Sequence, residues 1–183
     1  MTNGVDFPGV SVDAAWESDP MRFWENDGTG VMAEVSAAVG VTDTGSGKGL
    51  LTFDYDRDGD LDVFVVNHLT GGLLYRNDDP GTNDWLRVVV AGGEGWNADG
   101  FGARVTLERD PGGPVQVRQI GASSHFLGQS ERVAHFGLGD HPGPVHRVTV
   151  EWPGLGSVQY DAVAVNQVIV ATPPPPEPDQ DGD

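Results

Sequence analysis

Five aspartates at alternate positions are the residues in this sequence best suited to chemistry. They are Asp54, Asp56, Asp58, Asp60 and Asp62, with Gly59 among them. Counted from Asp54, the acids stand at positions 1, 3, 5, 7 and 9 and the glycine at position 6, which is the spacing of an oxygen-ligand Ca²⁺ loop. Five carboxylates this close repel one another unless a cation lies between them. We therefore predict a calcium site, with a water-solvated acidic turn as the alternative.

The residues around the acids predict how such a loop folds. Gly59 can take a positive φ without steric penalty and so permits a sharp bend. The backbone carbonyl of Asp60 is the expected ligand at position 7, and Leu61 is expected to pack into the core beneath the loop. Position 12, where an EF-hand has a bidentate glutamate, is Val65, and the β-branched run 63–66 predicts a strand. The loop is therefore predicted to join two strands.

This part of the chain carries a family resemblance. The segment that carries it reads Phe53-Asp54-Tyr55-Asp56-Arg57-Asp58-Gly59-Asp60-Leu61-Asp62. It resembles the FG-GAP/VCBS repeat, a β-propeller blade unit whose hairpin loop holds Ca²⁺. The flanks 22–30 and 74–78 resemble the link between such repeats. The resemblance implies partial propeller blades over residues 22–80, with all five aspartates as metal-binding residues.

The segment ahead of the loop predicts short elements. Residues 32–35 are expected to form a strand, 36–40 a helical turn, and 50–53 the strand that enters the loop. Gly45, Gly47 and Lys48 suggest a phosphate-binding loop, but Thr42 stands where that motif needs glycine and Gly49 where it needs Ser or Thr. This segment is therefore predicted to be a turn.

Charge and composition limit the function classes. The 183 residues carry a formal net charge of −18, with 10 Lys and Arg against 28 Asp and Glu. The cations form no basic stripe, which disfavours nucleic acid and anionic membrane as partners. The absence of cysteine excludes disulfides, thiolate zinc sites and cysteine nucleophiles. No run reaches membrane-spanning length and the start lacks the features of a signal peptide, so we expect a fragment of a longer secreted protein without membrane insertion.

The second half predicts an antiparallel β-sandwich. With 27 Gly and 13 Pro in the chain, short strands separated by turns are favoured over long helices. A domain boundary is predicted near residue 80, where turn residues cluster. Apolar alternation then predicts six strands, at 86–91, 103–108, 115–120, 132–136, 145–152 and 165–171.

A second resemblance covers about residues 85–172. Its motifs, in order, are Gly102-Ala103-Arg104-Val105, Gln116-Val117-Arg118, Gln129-Ser130, His135-Phe136-Gly137-Leu138-Gly139, Val148-Thr149-Val150-Glu151-Trp152-Pro153 and Asn166-Gln167. They resemble the ASPIC/UnbV domain, which is found behind FG-GAP repeats. Gly154-Leu155-Gly156 departs from the family's usual tight Ser-Gly turn. The family has no established general activity, so the resemblance implies architecture more than chemistry.

Other candidate sites are weighed against simpler interpretations. Ser123-Ser124-His125 places hydroxyl and imidazole on neighbouring strand positions, which point to opposite faces. His135, His141 and His146 lack the spacing that aims two imidazoles at one zinc ion. The remaining candidates are a second Ca²⁺ site at 97–99, against an Asx-type turn, and a sugar-stacking platform of tryptophans, of which Trp152 is expected in the core: Trp85, Trp96 and Trp152.

The predicted organisation is therefore an irregular segment at 1–21, a propeller repeat at 22–80, a sandwich at 84–172 and a linker tail at 173–183. The end of that tail, 179–183, resembles the opening of another aspartate-rich repeat. We expect a calcium-binding, non-catalytic module of a secreted adhesion, scaffold or recognition protein, with an extracellular protein or glycan as ligand. The alternative is an accessory or catalytic domain of a secreted enzyme or biosynthetic protein that acts on glycans.

Overall fold

The computed structural model describes residues 19–78, 81, 83–122, 124–126 and 128–175, and within these ranges every regular element is a strand. The all-β prediction is confirmed. Most of the predicted irregular segment 1–21 and the acidic repeat start at 179–183 lie outside the described residues. The described chain divides into two compact units. The first unit contains 19–55, 61–77, 124–126 and 128–130, and the second contains 56–60 and most of the other described residues.

The first unit contains a hairpin and a three-stranded antiparallel sheet. Strands β1 (Trp24–Asn26) and β2 (Met32–Glu34) pair with each other. Strands β3 (Gly47–Phe53), β4 (Asp62–Asn67) and β5 (Gly71–Tyr75) follow one another in the sheet in chain order. The predicted strands at 32–35, 50–53 and 63–66 are thus confirmed, and the aspartate loop joins two neighbouring antiparallel strands as expected.

The predicted helical turn at 36–40 is present as a single turn. The N–H of Val39 donates to the carbonyl of Val35 at 3.1 Å, and the N–H of Val41 donates to the carbonyl of Ser36 at 2.9 Å. Gly40 between them has a φ of 75°. The bond from Val41 back to Ser36 spans six residues, and together with the left-handed Gly40 it forms a Schellman motif, which ends the helical turn.

A hairpin from late in the chain completes the first unit. Strands β9 (Ser124–His125) and β10 (Gly128–Gln129) pair with each other. The backbone N–H of Thr52 donates to Ser130 Oγ at 3.0 Å, and a Cβ added to Gly128 would lie 2.7 Å from Leu51 Cδ2. The hairpin therefore packs on β3, although its sequence lies inside the range 84–172.

The second unit contains two sheets. One consists of β6 (Asp84–Val90), β11 (Val133–Gly139) and β14 (Gln167–Ala171), in the order β11-β6-β14. The other consists of β7 (Arg104–Glu108), β8 (Val115–Gln119), β12 (Val145–Trp152) and β13 (Gly156–Val163), in the order β13-β12-β7-β8. All six predicted strands of this half are present.

The expectation of a wholly antiparallel sandwich is wrong at one pair, because β14 runs parallel to β6. These are the first and last strands of the unit. No hairpin joins them, so no tight turn imposes an antiparallel arrangement. Strand β13 is not among the predicted strands. Five of its eight residues are exposed, and its apolar alternation is confined to the partly buried Val158 and Tyr160.

Both sheets of the second unit contribute to one core. Among the described residues, sixteen buried hydrophobic residues form it, and they include Leu86 on β6, Phe136 on β11 and Val105 on β7. In β12 the buried residues are Val145, Val148, Val150 and Trp152, and the last three form the face predicted from alternation. Two sheets sharing one core is the arrangement of a β-sandwich. The buried core described for the first unit is small by comparison and consists of Met21, Val41 and Val65.

Candidate metal site

The structure brings three of the five predicted aspartates together. One carboxylate oxygen each from Asp54, Asp56 and Asp58 lies within 4.8 Å of the other two. Asp54 follows the last residue of β3 and is 7% exposed, whereas Asp56 and Asp58 are exposed. The group therefore has one buried and two solvent-facing arms, and it can hold a metal ion that arrives from solvent.

The backbone of the loop turns alternate side chains inward. Gly59 has a φ of 102°, as predicted from its freedom at positive φ, and Arg57 has a φ of 66°. The N–H of Asp60 donates to Asp58 Oδ1 at 2.9 Å, which fixes the direction of the third carboxylate. The Asp60 side chain is outside the group of three, and a ligand role for its carbonyl stays a prediction.

Asp62 holds the loop closed. Its side chain is almost completely buried, at 1% exposure. Its Oδ2 accepts a hydrogen bond from the N–H of Tyr55 at 2.7 Å, and its Oδ1 accepts one from the N–H of Asn77 at 2.8 Å. Both oxygens thus bind backbone, and the structure does not bring Asp62 into the group of three.

The prediction that Leu61 packs into the core is wrong, because its side chain is 36% exposed. The buried position at this point of the chain belongs to Asp62 instead. Neighbouring residues entering a strand point to opposite faces, so the inward direction of Asp62 turns Leu61 outward.

Gly59 has a second role that sequence reasoning missed. It is buried, and a Cβ added to it would overlap the indole ring of Trp85. Only a residue without a side chain fits between the loop backbone and that ring. No local signal in the sequence links Gly59 to Trp85, since they are far apart along the chain and their contact depends on the fold.

At the candidate second calcium site, residues 97–99, the structure shows the Asx-type turn that was weighed against it. The Asn97 side chain accepts a hydrogen bond from the N–H of Phe101 at 2.7 Å and donates one to the Phe101 carbonyl at 2.9 Å. Asp99 forms an ion pair with Arg132 at 2.8 Å. These contacts correspond to the turn that was the simpler interpretation.

The other candidates do not converge on a site. Trp152 is fully buried and donates from Nε1 to the Ala91 carbonyl at 3.2 Å, so it is a core residue, and Trp96 packs against the same core. His146 lies 3.9 Å from Glu108, and His141 contacts the Pro144 carbonyl at 3.3 Å. The described part of the chain contains no metal group that includes a histidine. Ser123 lies outside the described residues.

Two clefts in the first unit bear on the enzyme alternative. Their volumes are about 260 and 290 Å³, and both are lined by Phe23, Val41 and Val63. Neither has an aspartate or glutamate in its lining. Most enzymes that hydrolyse glycosidic bonds use a pair of carboxyl groups that flank the bond, and these two clefts do not supply such a pair.

No helix long and apolar enough to cross a membrane occurs in the described ranges.

The chain is similar to known proteins over most of its length. Cartilage acidic protein 1 of Mus musculus and of Homo sapiens are each 33% identical to it over 130 residues, which are 69% of this chain and 19% of the relative. The same protein of Xenopus tropicalis is 32% identical over 128 residues, covering 68% of this chain and 19% of the relative. The chain thus spans less than two thirds of the length of these relatives. Residues 93–177 match the family model described as ASPIC and UnbV, so the second resemblance is confirmed and this part of the chain is an ASPIC/UnbV domain.

Proposed function

We propose that this chain is a calcium-binding, non-catalytic module of a secreted adhesion, scaffold or ligand-recognition protein. The observation that carries the proposal is the convergence of Asp54, Asp56 and Asp58 within 4.8 Å in the β3–β4 loop. Every donor there is a carboxylate oxygen, which suits a hard cation and favours Ca²⁺ over Zn²⁺. Backbone carbonyls and water would complete the six to eight oxygens that Ca²⁺ takes.

We also propose that residues 22–80 form an FG-GAP/VCBS-like propeller repeat. Strands β3, β4 and β5 are consecutive and antiparallel, and the aspartate loop joins the first two. Propeller blades are four-stranded antiparallel sheets, so three such strands agree with part of one blade.

A secreted location is supported by indirect observations. The curated relatives are called cartilage acidic protein 1, and this chain is strongly acidic, with a net charge of −18. A calcium loop of extracellular affinity, with a dissociation constant of about 10⁻⁴ to 10⁻³ M, would stay empty at resting cytosolic Ca²⁺ levels. The proposed ligand is an extracellular protein or glycan, which glycan-array binding with and without Ca²⁺ would test.

Calorimetric titration with Ca²⁺, Mg²⁺ and Zn²⁺ tests the metal site. We expect Ca²⁺ to bind most tightly of the three ions. Asp58→Asn should weaken Ca²⁺ binding, because this change removes a charge but keeps an oxygen that can accept the hydrogen bond from the N–H of Asp60. Asp140→Ala is the control, because it removes one exposed charge outside the loop. Tighter binding of Zn²⁺, or equal Ca²⁺ affinity in Asp58→Asn and wild type, would refute the site.

A further inference from the structure

The indole of Trp85 supports the aspartate loop at its sharpest bend. A Cβ on Gly59 would overlap Nε1, Cε2 and Cδ1 of that indole, so the ring lies directly against the loop backbone. Gly59 separates Asp58 from Asp60, and the N–H of Asp60 donates to the Asp58 carboxylate at 2.9 Å. Trp85 therefore contacts the part of the loop that directs the third converging carboxylate.

Hydrogen bonds to Asn166 fix the position of the Trp85 backbone. Its N–H donates to Asn166 Oδ1 at 3.0 Å, and its carbonyl accepts from the N–H of Asn166 at 2.6 Å. The Asn166 side chain also donates to Asp84 Oδ1 at 2.6 Å. A second Asp84 oxygen accepts from the N–H of His141 at 2.9 Å. The indole thus projects from a strand end that several hydrogen bonds fix.

The neighbouring strand leaves room for the ring. Trp85 pairs with Gly137 of β11, and directly opposed residues of two strands face the same side of the sheet. A Cβ added to Gly137 would meet no atom within 4 Å. The indole therefore has no cross-strand side chain directly opposite it on β11.

Such support matters energetically for this loop. Three carboxylates that converge without a cation repel one another, and the repulsion favours an opened loop. A contact that holds the bend in place reduces the ordering cost that a cation would otherwise have to offset, and this preorganisation tightens binding.

We propose that Trp85 is a positioning residue for a divalent cation in the aspartate loop, holding residues 58–60 in the conformation in which the three carboxylates converge. The inference rests on the proposed function and adds a residue without any metal ligand atom to the site. Because the indole touches the loop, its emission should also report cation binding.

The test compares Ca²⁺ binding by the full chain and three variants. Trp85→Ala removes the support, Trp85→Phe keeps an aromatic ring but removes the indole, and Trp96→Phe is the control at another partly buried tryptophan. We expect Trp85→Ala to weaken Ca²⁺ affinity roughly 10-fold, as for residues that orient ligands from outside the coordination shell. Trp85→Phe should retain most of the affinity. A Ca²⁺-dependent emission change should be present in wild type and Trp96→Phe and absent in Trp85→Phe.

The outcomes separate the two proposals. If wild type and Trp85→Ala bind Ca²⁺ equally, Trp85 has no positioning role, and the metal site stands. If wild type binds no Ca²⁺, the proposed function fails and this inference fails with it. If Trp85→Ala does not fold, the emission test decides, because an unchanged Ca²⁺ response in Trp85→Phe overturns the proposal.

Discussion

The carboxylate of Asp62 and the backbone N–H of Tyr55 are joined by a hydrogen bond of 2.7 Å across the aspartate loop. The other oxygen of Asp62 accepts from the N–H of Asn77, so one buried acid links the start of the loop to the second residue after β5. The loop therefore depends on two kinds of aspartate. Asp62 shapes it through backbone hydrogen bonds, and the group of Asp54, Asp56 and Asp58 offers oxygens to a cation.

Asp62→Asn should destabilise the protein to the same extent with Ca²⁺ and with chelator. The amide keeps one acceptor but turns an NH₂ group towards a backbone N–H, and losing a buried hydrogen bond to a charged group costs about 1.5–3 kcal/mol. Urea denaturation in both conditions measures the free energy of unfolding. A loss seen only with Ca²⁺ would instead make Asp62 a metal ligand.

Asp58→Ala, unlike Asp62→Asn, should destabilise the protein only when Ca²⁺ is present. At roughly 1 mM free Ca²⁺ and the weak affinity of extracellular modules, linkage supplies only about 0.4–1.4 kcal/mol, and this is the part the variant loses. In chelator the variant should be neutral or slightly stabilised, because one repelling charge is gone. Thermal melts of both proteins in both conditions provide the comparison. An equal loss in both would mean that Asp58 acts through its hydrogen bond to Asp60.

Gly59→Ala and Trp85→Ala should be strongly coupled. Alanine at position 59 is strained by the φ of 102°, which costs on the order of 1–2 kcal/mol in any background. It also overlaps the indole, but only while Trp85 is present. The double variant should therefore lose less free energy of unfolding than the two single variants lose together, and the difference should be about 0.5–3 kcal/mol. If urea denaturation shows that the two losses in free energy of unfolding simply add, a Cβ at position 59 does not overlap the Trp85 indole.

Asn166→Gly should destabilise the protein less than Asn166→Ala. Both lose the side-chain hydrogen bonds to Trp85 and Asp84. Only alanine also has to adopt the left-handed φ of 57°, which costs on the order of 1 kcal/mol more. The difference between the two variants in denaturant midpoint measures the strain. An alanine variant as stable as the glycine variant would contradict it.

Tyr75 should make stability fall at alkaline pH. Burial raises its pKa above the ordinary value of 10.0, with a further rise from the charge of Asp43. The folded state therefore holds the phenol proton more tightly than the unfolded state, so the contribution is complete below pH 10 and is lost as pH rises through the folded pKa. Tyr75→Phe should reduce this loss in denaturation series above pH 9, and an unchanged loss in that variant would contradict the prediction.

Much of the fold could be predicted because its signals are local. Alternation of Val148, Val150 and Trp152 marks a buried strand face over a few residues, and β12 matches the predicted range. The spacing of Asp54, Asp56 and Asp58 around Gly59 likewise lies in one short segment, and these acids converge. In both cases the period of the backbone translates residue spacing into a direction in space.

Other features depend on contacts between distant segments. Five of the eight residues of β13 are exposed, and the parallel pairing of β14 with β6 joins the last and first strands of the second unit along the chain. The same holds for the β9–β10 hairpin, which packs on β3 through Thr52 and Ser130. Residue types along the chain do not specify which strands meet, since pairing depends on how the whole unit buries its apolar faces.

In the aspartate loop, some features are determined by the sequence alone and others only by the tertiary structure. The presence of acidic oxygens at alternate positions, and the glycine that lets them converge, follow from residue types and spacing alone. The separate role of Asp62 requires the backbone of Asn77, and the second constraint on Gly59 requires the ring of Trp85. Side chains of one type look alike in sequence, and only their burial and their partners from remote strands separate an acid that binds backbone from an acid that can bind a cation.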